Sequence, residues 1–254
     1  MEILLLLSAG IFAGALNSLA GGGSFILFPA LLMAGVPPVI ANATNTFASL
    51  PGYVSGVVGF WADIKQYRSK IIPYSIVAII GGFLGAELLL KVSDAQFTKV
   101  VPWLMAVAVF FFAYGAKINA WASTKSSGQK TQAKIAAAGL LLLLLSVCIY
   151  GGFFNAGLGI ITLAFFALAG FTNIHAMNGL KLLISALVSA IAVARFAFSG
   201  SIAWHEGSIA FVGTLIGGFI AAKLAHLIPK HILRVAIIIY GIVLVLVFFW
   251  AAYK

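Results

Sequence analysis

The sequence has few acids, few charges of either sign and a single cysteine. Of its 254 residues, five are Asp or Glu and fifteen are Lys or Arg, so 8% are charged, about a third of the usual share in a soluble domain. With 63% of residues hydrophobic and a mean hydropathy of +1.16, too little charge is present to cover a water-soluble fold of this length. Disorder is excluded, because disordered chains combine low hydrophobicity with high charge. The lone Cys148 excludes an internal disulfide framework and a cysteine-built metal site. The net charge of +10 does not point to nucleic acid, since the cations stand singly between apolar runs rather than in one patch. No G-x-x-x-x-G-K-[ST] phosphate loop and no H-E-x-x-H pair occurs. Met1-Glu2 leads straight into an apolar stretch without the basic start of a signal peptide, so that stretch is expected to stay in the mature protein. What remains is an all-α integral membrane protein.

A spanning helix needs roughly 20 apolar residues at about 1.5 Å rise each. Candidate segments are 3–34, 36–60, 71–90, 97–116, 135–170, 172–199, 207–227 and 232–252. Segments 3–34 and 135–170 are too long for one simple crossing; the first would reach roughly 48 Å as a single helix. Each is interrupted near its middle, by Ala20-Gly21-Gly22-Gly23 and by Gly157-Leu158-Gly159. Glycine destabilises a helix interior and lets the backbone unwind. Each segment is therefore expected to form two short helices meeting at a break.

The halves match each other. Ile80-Gly81-Gly82-Phe83-Leu84-Gly85-Ala86 corresponds to Ile216-Gly217-Gly218-Phe219-Ile220-Ala221-Ala222 at an offset of 136. Gly35 and Ala41 correspond to Gly170 and Ala176 at 135, and Asn17 falls near Asn155 at 138. The expected architecture has about eight hydrophobic segments in two homologous four-segment repeats, residues 1–121 and 134–254, joined by a polar linker at 122–133. Internal duplication with broken helices at matching places is a transporter signature. The broken segments either cross fully or fold back as re-entrant hairpins, which would make the repeats inverted. Full crossing sorts the loop cations nine to five; hairpins sort them ten to four, with ten on the linker side. The positive-inside rule favours the second sorting, and both put the linker in the cytoplasm.

Asn17-Ser18-Leu19-Ala20-Gly21-Gly22-Gly23-Ser24 sets small polar groups and free backbone inside the bilayer, tolerated only where it is buried in protein or lines a wet cavity. A helix starting near Ser24, with Ser24 as its cap, would present N–H groups and partial positive charge to an anion. Three glycines between Asn and Ser favour site lining over simple close packing. Asn45 and Thr46, two turns into segment 36–60, either line the same site or make interhelical hydrogen bonds. In the second half, Asn155, Gly157, Gly159 and Asn178 take the corresponding places. Lys181 and Arg195 share a helix face with no acid in the helix to neutralise them; charges inside spans mark pathways, while snorkelling explains a cation near a helix end. The candidate substrate-binding set is therefore Asn17, Gly21, Gly22, Gly23, Ser24, Asn45, Thr46, Asn155, Gly157, Gly159, Asn178, Lys181 and Arg195. Glu87, expected to pair with Lys91 one turn on, and His175, beside the expected site, are the candidates for a coupling role. His226 and the other histidines are expected near helix ends. No metal and no cofactor is expected.

The order of these features resembles the TauE/SafE family of sulfite and organosulfonate transporters. Gly14-Ala15-Leu16-Asn17-Ser18-Leu19-Ala20-Gly21-Gly22-Gly23 is similar to that family's glycine-rich opening. Ala41-Asn42-Ala43-Thr44-Asn45 is similar to its Ala-x-Ala-Thr-Ser-like signature, and Gly200-Ser201-Ile202-Ala203-Trp204 to its Gly-x-Ile-x-Trp turn. Two departures stand in the second half: Gly157-Leu158-Gly159-Ile160-Ile161 where a full glycine run is frequent, and Gly179-Leu180-Lys181 where Gly-Thr-Ser is common. The resemblance implies a secondary transporter of a small sulfur oxyanion or organosulfonate, of the sulfite, thiosulfate or sulfoacetate class, in a cell inner membrane. The partners expected are the anion and the bilayer, without nucleic acid; monomer and homodimer both stay open. An anion channel could use the same residues, and a membrane-embedded enzyme or a scaffold are weaker rivals.

Overall fold

Pro37 and Pro38 open the first long helix, because proline at the first helical position gives up no hydrogen bond and already has a helical φ. In the computed structural model, which describes residues 1–19, 21–123, 130–224 and 230–254, that helix is α3 (Pro38–Gly59). It follows α1 (Glu2–Leu19) and the short α2 (Ser24–Met33). The one-turn α4 (Trp61–Ile64) and a 3-10 turn lead into α5 (Arg68–Leu90), and α6 (Asp94–Ser123) ends the first half. The second half is α7 (Lys130–Phe153), α8 (Leu158–Leu168), α9 (Ile174–Phe198), α10 (Trp204–Leu224) and α11 (Lys230–Tyr253). Asn173 caps α9, its side-chain oxygen accepting from the His175 and Ala176 N–H groups at 3.0 and 3.2 Å. Every helix but the one-turn α4 coincides with an expected segment, and both long segments break at their glycines. The centre of the expected linker, 124–129, together with Ala20 and His226, lies outside the described residues.

Neighbour contacts fix the direction of each helix. Along α1, Gly10, Gly14 and Ser18 face Ala210, Thr214 and Gly218 of α10 in ascending order, so the two run parallel. Thr44 and Ala48 of α3 bond Ala203 and Thr214, again in ascending order. Ser24, at the start of α2, meets Asn45, well inside α3, although a short turn joins the two helices. Thus α2 runs against α3, and therefore against α1. The first broken segment is a fold-back hairpin. In the second half, Gly81 and Gly85 of α5 abut Cys148 and Gly152 of α7 in parallel, and Gly82 and Glu87 meet Val188 and Arg195 of α9 in parallel. Gly159, at the start of α8, lies against Lys181 of α9 across another short turn, so α8 also runs back. Gly56 of α3 and Phe60 just past its end meet Leu182 and Gly179 of α9, so these helices are antiparallel and the second half lies upside down relative to the first.

The chain termini and the turns after α2 and α9 share one end of the molecule. The turn between α4 and α5 and the start of α9 share the other. With 10 and 11 residues, α2 and α8 are about 15 and 16 Å long, half of the roughly 30 Å hydrocarbon thickness. Both therefore start near mid-depth. Both close with glycines in the left-handed region, Gly35 and Gly170 at φ +82° and +83°, each followed by a backbone bond five residues back, from Val36 to Leu31 and from Phe171 to Phe166.

Packing joins helices across the sequence midpoint. Glycines on α1 and α10 bring those backbones together, and glycines on α5 and α7 do the same, as small residues do where helices meet in lipid. Phe28 of α2 stacks on Phe248 of α11 at 5.9 Å, and α6 packs on α8, where Gly157 abuts Ala108. Two interleaved bundles result: α1, α2, α3 and α10, and α5, α7, α8 and α9. They meet along α3 against α9, and α6 packs on both α8 and α11.

Large apolar side chains such as Phe12, Ile72, Phe110, Leu142, Phe219 and Leu246 face outward. In water so large an apolar surface would aggregate; in lipid it is the solvated surface. Three described helical stretches, Trp61–Leu90, Asp94–Phe111 and Ile174–Phe198, are long and apolar enough to cross a membrane.

Candidate functional site

The first break is built by Gly21, whose φ of +84° lies where a side chain strains the backbone. Its N–H bonds the Leu16 carbonyl at 3.0 Å, ending α1. Gly22 is buried and its carbonyl accepts from Phe25 at 3.1 Å. The chain then doubles back, setting Gly23 against Ala13 and Asn17. The Asn17 side-chain oxygen accepts the Gly23 N–H at 2.8 Å. This corrects the expectation for Ser24. Gly23 holds the capping position without a side-chain cap, and Ser24 lies inside the first turn, accepting from Asn45 Nδ2 at 3.1 Å. Because of the fold-back, α1 itself supplies an acceptor to the start of α2.

The second break turns at Gly157, φ +82°, 136 residues after Gly21. Asn155 lies in the unwound stretch, fully buried. Its oxygen accepts from the Tyr53 hydroxyl of α3 at 2.8 Å, and its Nδ2 donates to Ser189 Oγ of α9 at 2.9 Å. Asn17 and Asn155, matched in the sequence, therefore do different work: one closes a hairpin, the other ties a break to both central helices.

Lys181 joins the two breaks. It is 7% exposed, the only charged side chain among the buried described residues. Its Cδ passes 3.4 Å from where a Cβ would stand on Gly159, and its Nζ lies 3.9 Å from the same point on Gly21. A Cβ at either glycine would stand in ordinary contact with the lysine. Nζ donates a long bond to Asn178 Oδ1, 3.4 Å, within its own helix. The breaks abut directly too, with Ile160 Cγ1 4.0 Å from the Cβ position of Gly21.

Two polar stripes lie on α3 and α9, helices that pack together. Asn42, Asn45, Ser49 and Tyr53 lie on one face of α3, at the three- and four-residue spacing that puts side chains above one another. Asn178, Lys181, Ser185 and Ser189 lie on α9 with the offset of 136 residues. Asn45 thus occupies in one half the place Lys181 takes in the other, and Ser49 the place of Ser185. Asn42 Oδ1, Asn45 Oδ1, Ser49 Oγ and Ser185 Oγ are buried without a hydrogen-bond partner. A buried polar atom left unpaired costs about 1–3 kcal/mol, so four in one region mark a place shaped for polar contacts. Sequence reasoning passed over Ser49, Tyr53, Ser185 and Ser189; the offset of 136 carried along both helices would have found them.

Thr46 is buried, but its hydroxyl donates to the Asn42 carbonyl of its own helix at 2.9 Å. Arg195 is not brought to the breaks. It lies 14 residues beyond Lys181, about 21 Å along α9, half-buried and ion-paired with Glu87 of α5. This also corrects the expected Glu87–Lys91 pair: Lys91 is the residue that ends α5, exposed, while α9 packs beside Glu87. His175 is exposed in the first turn of α9, stacked on Phe60 at 6.4 Å. Among the described residues no group of three or more His, Cys, Asp or Glu could hold a metal ion.

Chemically, the arrangement gathers positive potential at mid-depth. The N-termini of α2 and α8 converge there from opposite sides, each carrying roughly half a positive charge, and Lys181 adds a full one. Unwound backbone lies where protein surrounds it rather than lipid. Inverted halves with short half-helices meeting at a buried polar centre are an arrangement shared with many membrane transporters.

The comparisons with known proteins agree with that class. The family model described as sulfite exporter TauE/SafE matches residues 6–248. The chain belongs to this family and is a membrane transporter. A "Probable membrane transporter protein" of Haemophilus influenzae is 28% identical over 236 residues, 92% of this chain and 89% of the relative. The "Probable membrane transporter protein YfcA" of Escherichia coli is 26% identical over 241 residues, 91% of this chain and 84% of its own. The "Sulfite exporter TauE/SafE family protein 3" of Arabidopsis thaliana is 29% identical over 118 residues, 44% of this chain and 24% of that protein. No solved structure matches the chain.

Proposed function

We propose that this transporter carries a small anion of the sulfur oxyanion or organosulfonate class, sulfite among them, by alternating access around Lys181 and the two breaks. The family description supports the substrate class. The observation that carries the site is the position of the Lys181 ammonium, buried between Gly21 and Gly159 with no carboxylate paired to it. A buried charge left without a partner is strongly destabilising, and an anionic substrate is the natural counter-ion. Backbone N–H groups at the starts of α2 and α8, the Asn45 amide and the Ser49 and Ser185 hydroxyls take over its hydration shell.

Residues 1–121 and 134–254 are read as inverted repeats. The moving bodies are the two interleaved bundles rather than the sequence halves, because α10 is packed on α1 and α7 on α5. Rocking along the α3–α9 seam would open the lysine to one side and then the other. Ten loop cations on the linker side against four opposite favour a cytoplasmic linker in a protein of the cell inner membrane.

The test is counterflow in proteoliposomes. Vesicles preloaded with unlabelled sulfite are expected to accumulate labelled sulfite transiently, and Lys181→Ala to abolish this. Flux without accumulation would make the protein a channel. Absence of exchange for sulfite, thiosulfate and sulfoacetate, in well-incorporated protein, would refute the substrate class.

A further inference from the structure

We infer that the site selects monovalent over divalent anions, and that Lys181 sets this choice by being charged where its counterpart Asn45 is neutral. The inference rests on the anion-carrier reading and names the charge of the cargo.

Lys181 is the only buried charged side chain described, and every other charged residue whose side chain is described is partly or fully exposed. Its equivalent on α3, Asn45, is fully buried and uncharged, as are Ser49 and Ser185. A monoanion beside Lys181 forms a neutral pair. A dianion leaves one negative charge in a poorly solvating interior, where an unpaired ion is disfavoured steeply. The helix starts soften that penalty without cancelling it, since each supplies a partial charge that falls off within a turn.

The donors present suit a single oxyanion. Of the three Lys181 N–H bonds, one is engaged, in the 3.4 Å contact with Asn178. Ser49 Oγ and Ser185 Oγ are buried without partners one turn along from Asn45 and Lys181 respectively. The inverted halves leave each serine beside a different kind of neighbour, an amide in one half and an ammonium in the other. The two halves thus supply the same polar scaffold, and the charge enters from one half only.

The test measures inhibition of labelled sulfite counterflow, at a mildly acidic pH where sulfite is mostly the monoanion hydrogensulfite, by methanesulfonate and isethionate, both monoanions, and by ethane-1,2-disulfonate and sulfate, both dianions, at constant ionic strength. In the wild type the monoanions are expected to inhibit at concentrations at least about tenfold lower, equivalent to about 1.4 kcal/mol. Asn45→Lys, which places a second ammonium at the equivalent position, is expected to narrow or reverse that order. If Asn45→Lys does not fold, the wild-type panel decides alone. Dianions inhibiting as well as or better than monoanions would overturn the inference and leave the carrier reading standing. Counterflow of no anion of either charge would overturn the carrier reading and this inference with it.

Discussion

The Tyr53 hydroxyl of α3 donates to the Asn155 side-chain oxygen in the second break at 2.8 Å, so the break in one half is held by a helix of the other. Asn155 passes the connection to Ser189 on α9, and the three side chains bridge the seam along which the bundles meet. Tyr53→Phe leaves a buried amide oxygen unpaired, expected to cost about 1–3 kcal/mol. Thermal unfolding of the purified protein in detergent checks this. An unchanged midpoint would mean that the bond contributes nothing in the membrane protein.

Gly21→Ala and Gly157→Ala force alanine into the left-handed region, at roughly 1–2 kcal/mol each. Their surroundings differ. A Cβ at Gly21 stands in ordinary contact with Lys181, whereas one at Gly157 collides with Ala108. Gly157→Ala is therefore expected to lower the melting temperature more than Gly21→Ala, and Gly21→Ala to lower flux out of proportion to its loss of stability. Equal effects on stability would contradict this account of the two breaks.

The Arg195–Glu87 pair ties α9 to α5 inside one bundle, away from the breaks. Both side chains are about a third exposed, so the pair is expected to contribute on the order of 1 kcal/mol or less. Arg195→Gln should lower the melting temperature slightly and leave the KM for substrate unchanged, and the exchange Glu87→Arg with Arg195→Glu should restore stability. A raised KM in Arg195→Gln would return Arg195 to the binding site.

The interleaved bundles predict which cross-links stop transport. In a Cys148→Ala background, Ser18→Cys with Gly218→Cys bonds α1 to α10 within one bundle, at positions where Ser18 Oγ lies 3.3 Å from the Cβ position of Gly218. Gly56→Cys with Leu182→Cys bonds α3 to α9 across the seam. The first disulfide is expected to spare exchange and the second to abolish it until reduced. The opposite pattern would make the sequence halves the moving bodies.

Helix positions and both breaks were legible in the sequence, because runs of apolar residues and glycines act locally. Lys181 was legible for the same reason: a lysine inside an apolar run is costly wherever its helix goes. What required the fold was pairing between helices. Glu87 has Lys91 at ideal spacing in the sequence, and only the packing of α9 beside α5 offers Arg195 instead. Ser24 carries a good capping side chain, and only the fold-back brings Asn17 to Gly23 first. The stripe through Ser49 and Ser185 consists of residues ordinary in any helix; it acquires meaning when α3 and α9 stand face to face.

The central claim is that the Lys181 ammonium lies in the path of an anion, and chemical restoration of the charge tests it most directly. Lys181→Cys in the Cys148→Ala background removes the ammonium and makes position 181 the only thiol. Counterflow of labelled sulfite would be measured before and after treatment with bromoethylamine, which rebuilds a cationic side chain through a thioether that sulfite does not cleave, and with bromoethanesulfonate, which installs an anionic one. The account predicts an inactive variant rescued by the first reagent and not by the second, with methanesulfonate slowing the modification. Full activity of Lys181→Cys before treatment, or modification at a rate that methanesulfonate leaves unchanged, would contradict it.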